Sequence, residues 1–240
     1  MATLTVQDHY ANQQTLVSSL MKCHGFSHGI QSVQLIETHI SWVLLAGRYA
    51  YKIKKALDLG FLNFTTLEAR RHYCCEEIRL NRRLAPKNYL DVIAIGGNFE
   101  SPEFGLHPAI EYAVRMRRFA SEKELDYLLA RGKLMPQHMD QLAAMLAAFH
   151  DKLPRANSDS GWGTPETIHA AAMQNVGQLL SFLKEAADIK AVTTLETHLE
   201  KVFYVCENYF KQRHESGFVR ECHGDLHLGN IVLIGKRPIP

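Results

Sequence analysis

Residues 222–233, CHGDLHLGNIVL, gather two histidines, an aspartate and an asparagine within nine positions before the chain turns β-branched and aliphatic. A carboxylate at Asp225 can take a proton from a hydroxyl, and the amide oxygen of Asn230 is a donor that suits a hard cation such as Mg²⁺. Phosphoryl transfer asks a protein for both services: a base or orienting carboxylate for the acceptor, and oxygen ligands that hold the metal against nucleotide phosphates. A different chemistry competes for the same residues. Cys222, His223, Asp225 and His227 are all metal-ligand types, and HxDxH on an extended segment points its three ligands to one side, as a metal-dependent hydrolase would require. The thirteen histidines form no second cluster such as HExxH, and the hydrolase reading leaves Asn230 unused.

The elements that must position this loop are legible as periodicities. The segment SVQLIETHISWVLLAGRYAYKIKK predicts an antiparallel meander with a turn at Gly47-Arg48, and its alternation puts Ala50, Lys52 and Lys54 on one face with Tyr51 and Ile53 on the other. Thr65 with Glu68 three residues on reads as a capping box, predicting a helix from Thr66 to about Leu84, stopped by Pro86. YLDVIAI and AIEYAVRM predict a further antiparallel pair across a loop containing Gly96-Gly97-Asn98 and Pro102. Past Phe119 the apolar spacing becomes helical, in stripes from Leu142 to Phe149, Ile168 to Leu183 and Leu195 to Phe210. The expectation is an α+β chain whose strand-rich first half precedes a helical second half, with the polar motif after the helices.

Composition narrows the partners. A formal charge of +2 lacks the concentrated basic excess of a nucleic-acid binder. The five cysteines, Cys23, Cys74, Cys75, Cys206 and Cys222, contain no CxxC pair, which argues against a disulfide framework or a four-thiolate zinc site and for a reducing, cytoplasmic location. The amino-terminal stretch lacks the basic start and apolar core of a signal peptide, and no apolar run approaches the ~20 residues of a membrane span, so no membrane partner is expected.

The Asp225-to-Asn230 spacing matches the HRDLxxxxN loop of protein kinases, and the form His223-Gly224-Asp225-Leu226-His227-x-x-Asn230 resembles the aminoglycoside phosphotransferase family. The resemblance implies a protein-kinase-like fold: a small antiparallel-sheet lobe over residues 1–115 that binds nucleotide, and a mainly helical lobe over 116–240. It implies ATP and Mg²⁺ as cofactors, a hydroxyl of an unidentified small molecule as acceptor, Asp225 as the catalytic base and Asn230 as a magnesium ligand, with His223 and His227 supporting the loop. The Ala-x-Lys spacing of Ala50 and Lys52 mirrors the phosphate-pairing lysine strand of kinases, with Lys54 the alternate on the same face. EIRLNRRLAP looks like the glutamate-bearing helix, implying Glu77, then Glu76, as the partner of that lysine. The turn ETHISW lacks kinase-type glycines, leaving Thr38, His39 and Ser41 as substitute donors to phosphate. AIEYAVRM followed by RRF occupies the place of the lobe-connecting hinge, which would present main chain to adenine near Met116, Arg117 and Arg118.

The wording of ISWVLLAGRYAYKIKKALDLGFLNFTTLEARR, EIRLNRRLAP, EYAVRMRRF and VRECHGDLHLGNIV is similar to the amino-terminal half of bacterial proteins that fuse such a domain to a P-loop ATP-binding domain, implying that domain as a partner in the parent protein. No GxxxxGK[ST] occurs in this chain. Residues 226–240 contain no aspartate, so the second metal carboxylate of the kinase pattern is expected beyond Pro240, the helical lobe is expected to be incomplete, and the 240 residues alone are expected to be inactive. A kinase-like nucleotide-binding module without catalysis is the other reading consistent with this pattern.

Overall fold

The computed structural model describes residues 6–22, 25–26 and 29–240; Cys23 and the first five residues of the amino-terminal stretch lie outside them. The first half forms a helix α1 (Val6–Leu20), strands β1 (Val33–Glu37), β2 (Ser41–Ala46) and β3 (Tyr49–Lys54), a helix α2 (Leu67–Asn81), and strands β4 (Tyr89–Gly97), β5 (Pro102–Phe104) and β6 (Ala109–Arg117). The six strands make one antiparallel sheet in the order β1-β2-β3-β6-β4-β5. The meander and the β4–β6 pair are those the alternation predicts, and the α+β class holds. The three-residue β5 is too short for a period to register in the sequence.

Strand alternation divides the core. Tyr51, Ile53, Trp42, Leu44, Ala46, Ile95 and Ala113 pack with Leu16, Val17 and Leu20 of α1. Val114, with Val92, Tyr112 and Met116 beside it, packs with Cys74 and Ile78 of α2. Both faces of the sheet are therefore covered, which is why strand β3 is buried or half-buried at every position rather than alternately wet and dry.

The capping expectation is corrected in detail. The hydroxyl of Thr65 donates to Asn63 Oδ1 at 2.7 Å, so the cap of α2 falls to Thr66, whose Oγ1 accepts from Ala69 N at 3.1 Å. The helix ends at Asn81, three residues short of Leu84, where the Arg82 amide bonds back to Ile78 and Leu80 carbonyls.

The second half contains α3 (Leu125–Ala130), α4 (Pro136–Lys152), α5 (Pro165–Phe182), α6 (Ala186–Glu215) and a hairpin of β7 (Val232–Ile234) and β8 (Arg237–Ile239). By compactness the chain forms two units: one runs to Ala143 and takes in Asp225–Pro240, the other is Ala144–Gly224. The first unit thus holds the sheet, α1 to α3 and the terminal hairpin. The second is helical; its α5 and α6 meet through a His169 Nε2–Glu200 contact of 3.0 Å and a tilted His169–Phe203 stack. Among the described residues no helix is long and apolar enough to cross a membrane.

Candidate functional site

Two polar clusters of the first unit hold most of the residues singled out by sequence. The first lies between β3 and α2. Because a strand repeats every two residues and a helix every three to four, Lys52 and Lys54 on one strand face meet Glu77 on the inner stripe of α2, where Arg70, Cys74 and Ile78 are also buried. Lys52 Nζ donates to Glu77 Oε1 at 2.8 Å and Lys54 Nζ to Glu77 Oε2 at 2.7 Å. The two lysines are not equivalent: the Lys52 side chain is 28% exposed and that of Lys54 only 7%. The Phe64 ring lies 5.1 Å from Lys54 Nζ, and the Lys54 carbonyl accepts from Gln13 Nε2 at 2.9 Å. Glu76, the alternate partner, turns outward to an exposed pair with Arg79.

Electrostatics follow from this enclosure. Burial opposes the charge on Glu77, but Lys52 and Lys54 beside it overcome that penalty and hold its carboxyl below the ordinary glutamate value. Burial also disfavours the Lys52 ammonium, yet the Glu77 charge and hydrogen bond hold it above the ordinary lysine value. Burial pushes the Cys74 thiol up to about 12, so this cysteine is a small apolar group and not a nucleophile.

A second network, which sequence reasoning missed, secures the same helix. Arg70 Nε donates to both oxygens of Glu111 on β6 at 3.0 and 2.9 Å, and Arg70 Nη1 donates to the Phe64 and Thr65 carbonyls. Gln13 of α1 completes it, donating to Glu111 Oε2 at 2.6 Å and accepting from Ala56 N at 2.8 Å. All three side chains are buried. Only a lone glutamate at Glu111 inside the apolar run AIEYAVRM hinted at it, since a charge in a buried strand demands a partner.

The second cluster is the Asp225–Asn230 loop. Asn230 Nδ2 donates to the main-chain oxygen of Asp225 and to its Oδ2, each at 3.0 Å. Both acceptors can only accept, so the amide nitrogen must face them and Oδ1 is left as the oxygen a cation would use. His227 Nδ1 accepts from Gly229 N at 3.2 Å, which puts the proton of the neutral ring on Nε2, 3.8 Å from Asp225 Oδ2. The Asp225 side chain is 79% exposed. Gly224 just before it has φ +82°, a left-handed conformation that a side chain disfavours and that explains a glycine here. A Cβ on Gly229 would crowd the His227 ring and Asp126 Oδ2 at 3.2–3.3 Å, so its smallness lets the loop close on α3. The loop is anchored where Leu125 N donates to Ile231 O at 2.9 Å and Glu124 bridges Val232, over the buried Leu125, Ile231 and Val232.

The remaining residues divide. Thr38 closes the β1–β2 turn on itself, its Oγ1 accepting from Ser41 N at 2.9 Å and donating to Ser41 O; it is exposed, as is His39, whereas Ser41 is fully buried and its Oγ has no hydrogen-bond partner. Of the two hydroxyls, Thr38 is therefore the one at the surface. Met116 packs on the α2 side of the sheet. Arg117 N already donates to Asn88 O and Arg118 N to Arg48 O, so neither amide is open to a base edge in this conformation. His223 is half-buried in the other unit.

Among the described residues no three His, Cys, Asp or Glu side chains come together so as to hold a metal ion. The Asn230 amide oxygen suits Mg²⁺ as one ligand among several, since this ion takes the rest from carboxylates, water and substrate phosphates.

Uncharacterized proteins of Mycobacterium bovis and of two strains of Mycobacterium tuberculosis are each 27% identical to this chain over 206 residues, covering 86% of the chain and 40% of their own length. The chain thus spans about 40% of the length of these curated relatives. No family model matches the chain, and no solved structure matches it.

Proposed function

We propose that the chain carries the nucleotide and catalytic elements of a protein-kinase-like phosphotransferase, transferring a phosphoryl group from ATP to a hydroxyl of a small molecule, as in the aminoglycoside phosphotransferase family. One observation carries the reading: a strand lysine paired with a helix glutamate lies in the same compact unit as the loop in which Asn230 holds Asp225, although 148 residues separate Glu77 from Asp225. Phosphoryl transfer is catalysed almost wholly by positioning and electrostatics, and these are two of the parts it needs.

In this mechanism Lys52, the more exposed of the two lysines, contacts nucleotide phosphate oxygens and draws charge from the transferring group. Asp225 accepts the proton of the acceptor hydroxyl, its carboxylate oriented by Asn230 Nδ2 and faced by the Nε2 proton of His227. The Asn230 amide oxygen would help hold Mg²⁺, which when bound neutralises charge on the phosphates. The test is Asp225→Asn in the intact protein: turnover falls roughly 10²-fold or more with affinity for an ATP analogue nearly unchanged. Unchanged turnover would remove Asp225 from the chemistry.

A further inference from the structure

Lys52, Lys54 and Glu77 set two ammoniums against one carboxylate, each ammonium on its own oxygen. The other ionisable groups around Glu77 do not restore the balance. On α2, the Cys74 thiol is pushed up to about 12 by burial and stays neutral. On β4, the Tyr89 phenol is raised by burial and by the Glu77 charge, and stays neutral as well. Arg70 and Glu111, from α2 and β6, cancel each other. One positive charge is left over in a largely enclosed cluster, where an uncompensated charge is costly and an incoming anion is favoured. A single lysine serving both Glu77 and a ligand would abandon the carboxylate whenever it turned to the ligand. Here the enclosed lysine, under the Phe64 ring and with its main chain held by Gln13, keeps Oε2 while the accessible one holds Oε1.

We infer that Lys54 is a standing counterion for Glu77, so that Lys52 passes to a phosphate-type oxyanion without stranding a buried carboxylate, and that the cluster binds a polyphosphate group without a metal. This rests on the proposed role of Lys52 as the phosphate contact; Lys54 acts through Glu77 and is a positioning residue.

The test is calorimetric titration of inorganic tripolyphosphate in the presence of EDTA, between pH 6.5 and 8, in buffers of different ionisation heat. The wild-type chain binds, and Lys52→Met weakens binding about tenfold or more. In Lys54→Met, moving Lys52 to the anion leaves Glu77 unpaired, and burial then makes it take up a proton. Affinity at pH 8 therefore drops about tenfold below wild type, the gap closes as pH falls, and binding takes up close to one proton more than wild type, a difference that cancels the ligand's own ionisation. Lys54→Arg restores wild-type behaviour. In a Glu77→Gln background the counterion has no task, so Lys54→Met changes affinity less than about threefold and adds no proton; this pair remains readable even where Lys54→Met alone folds poorly. A tenfold loss in that background means that Lys54 touches the anion itself, and overturns the inference. Wild-type affinity with no extra proton in Lys54→Met overturns it too, leaving Lys52 in place. Absence of binding by the wild type, or binding indifferent to Lys52→Met, overturns both the inference and the phosphate role of Lys52.

Discussion

Helices α2 and α6 obey the same amphipathic rules and end in opposite conditions. The 15-residue α2 buries Arg70, Cys74 and Ile78 along one stripe, and the polar member of that stripe is matched by Glu111 while Glu77 beside it is matched by two lysines. The 30-residue α6, twice as long, buries no residue and leaves Tyr204, Val205 and Tyr209 exposed. Burial is what makes charge geometry exact: a carboxylate enclosed with its partners has one low-energy arrangement, whereas an exposed side chain has many. The Lys52–Glu77 cluster is therefore built against the enclosed helix, whereas α6 contributes apolar surface.

Breaking the buried half of this comparison should cost most. Glu111→Ala leaves Arg70 enclosed without its counter-charge, and chemical denaturation should show a loss of about 3–5 kcal/mol. Next comes Glu77→Gln, expected to lose about 1.5–3 kcal/mol at neutral pH through its charged hydrogen bonds. Its pH signature has two limbs. Glu77 is held below its ordinary value of 4.5, so its contribution is present above pH 4.5 and lost as pH falls through the folded value. Lys52 is held above its ordinary 10.5, so its contribution is full below that pH and lost as pH rises through the folded value. The stability difference between wild type and Glu77→Gln should therefore be largest between those limits and shrink outside them. A difference that stays flat into acid would mean the pair is not formed in solution.

Gln13→Ala sharpens the same contrast. It removes the donor to Glu111 and Lys54 O and the acceptor for Ala56 N–H, and should cost about 1–3 kcal/mol while the apolar packing of α1 on the sheet persists. On the exposed helix, Tyr204→Ser should stay within about 0.5 kcal/mol by the same denaturation measurement.

What the sequence made legible follows this division. Strand alternation in AYKIKK put Lys52 and Lys54 on one face, and the sheet keeps them there, facing Glu77. The spacing from Asp225 to Asn230 marks both residues, but the hydrogen bond that joins them is not contained in the spacing. Helix α1 leaves little trace in the sequence, because its buried Gln13 breaks the apolar pattern that periodicity detects, and the reason for a glutamine there lies 98 residues away at Glu111. The Arg70–Glu111 pair was invisible for the same cause: contacts between distant segments leave no local period. The choice between Lys52 and Lys54 could not be made from alternation either, since both share a face; their difference arises from Phe64 and Gln13, which only the folded chain brings to Lys54. The capping error over Thr65 turned on a side-chain competition with Asn63 that a spacing rule does not contain.

The central claim is that Lys52, paired with Glu77, contacts nucleotide phosphates. Its most direct test is equilibrium titration of a non-hydrolysable ATP analogue against the wild-type chain, Lys52→Ala and Asp225→Asn. Lys52→Ala should weaken binding about tenfold or more while Asp225→Asn stays within about threefold of wild type. Wild-type affinity in Lys52→Ala would contradict it.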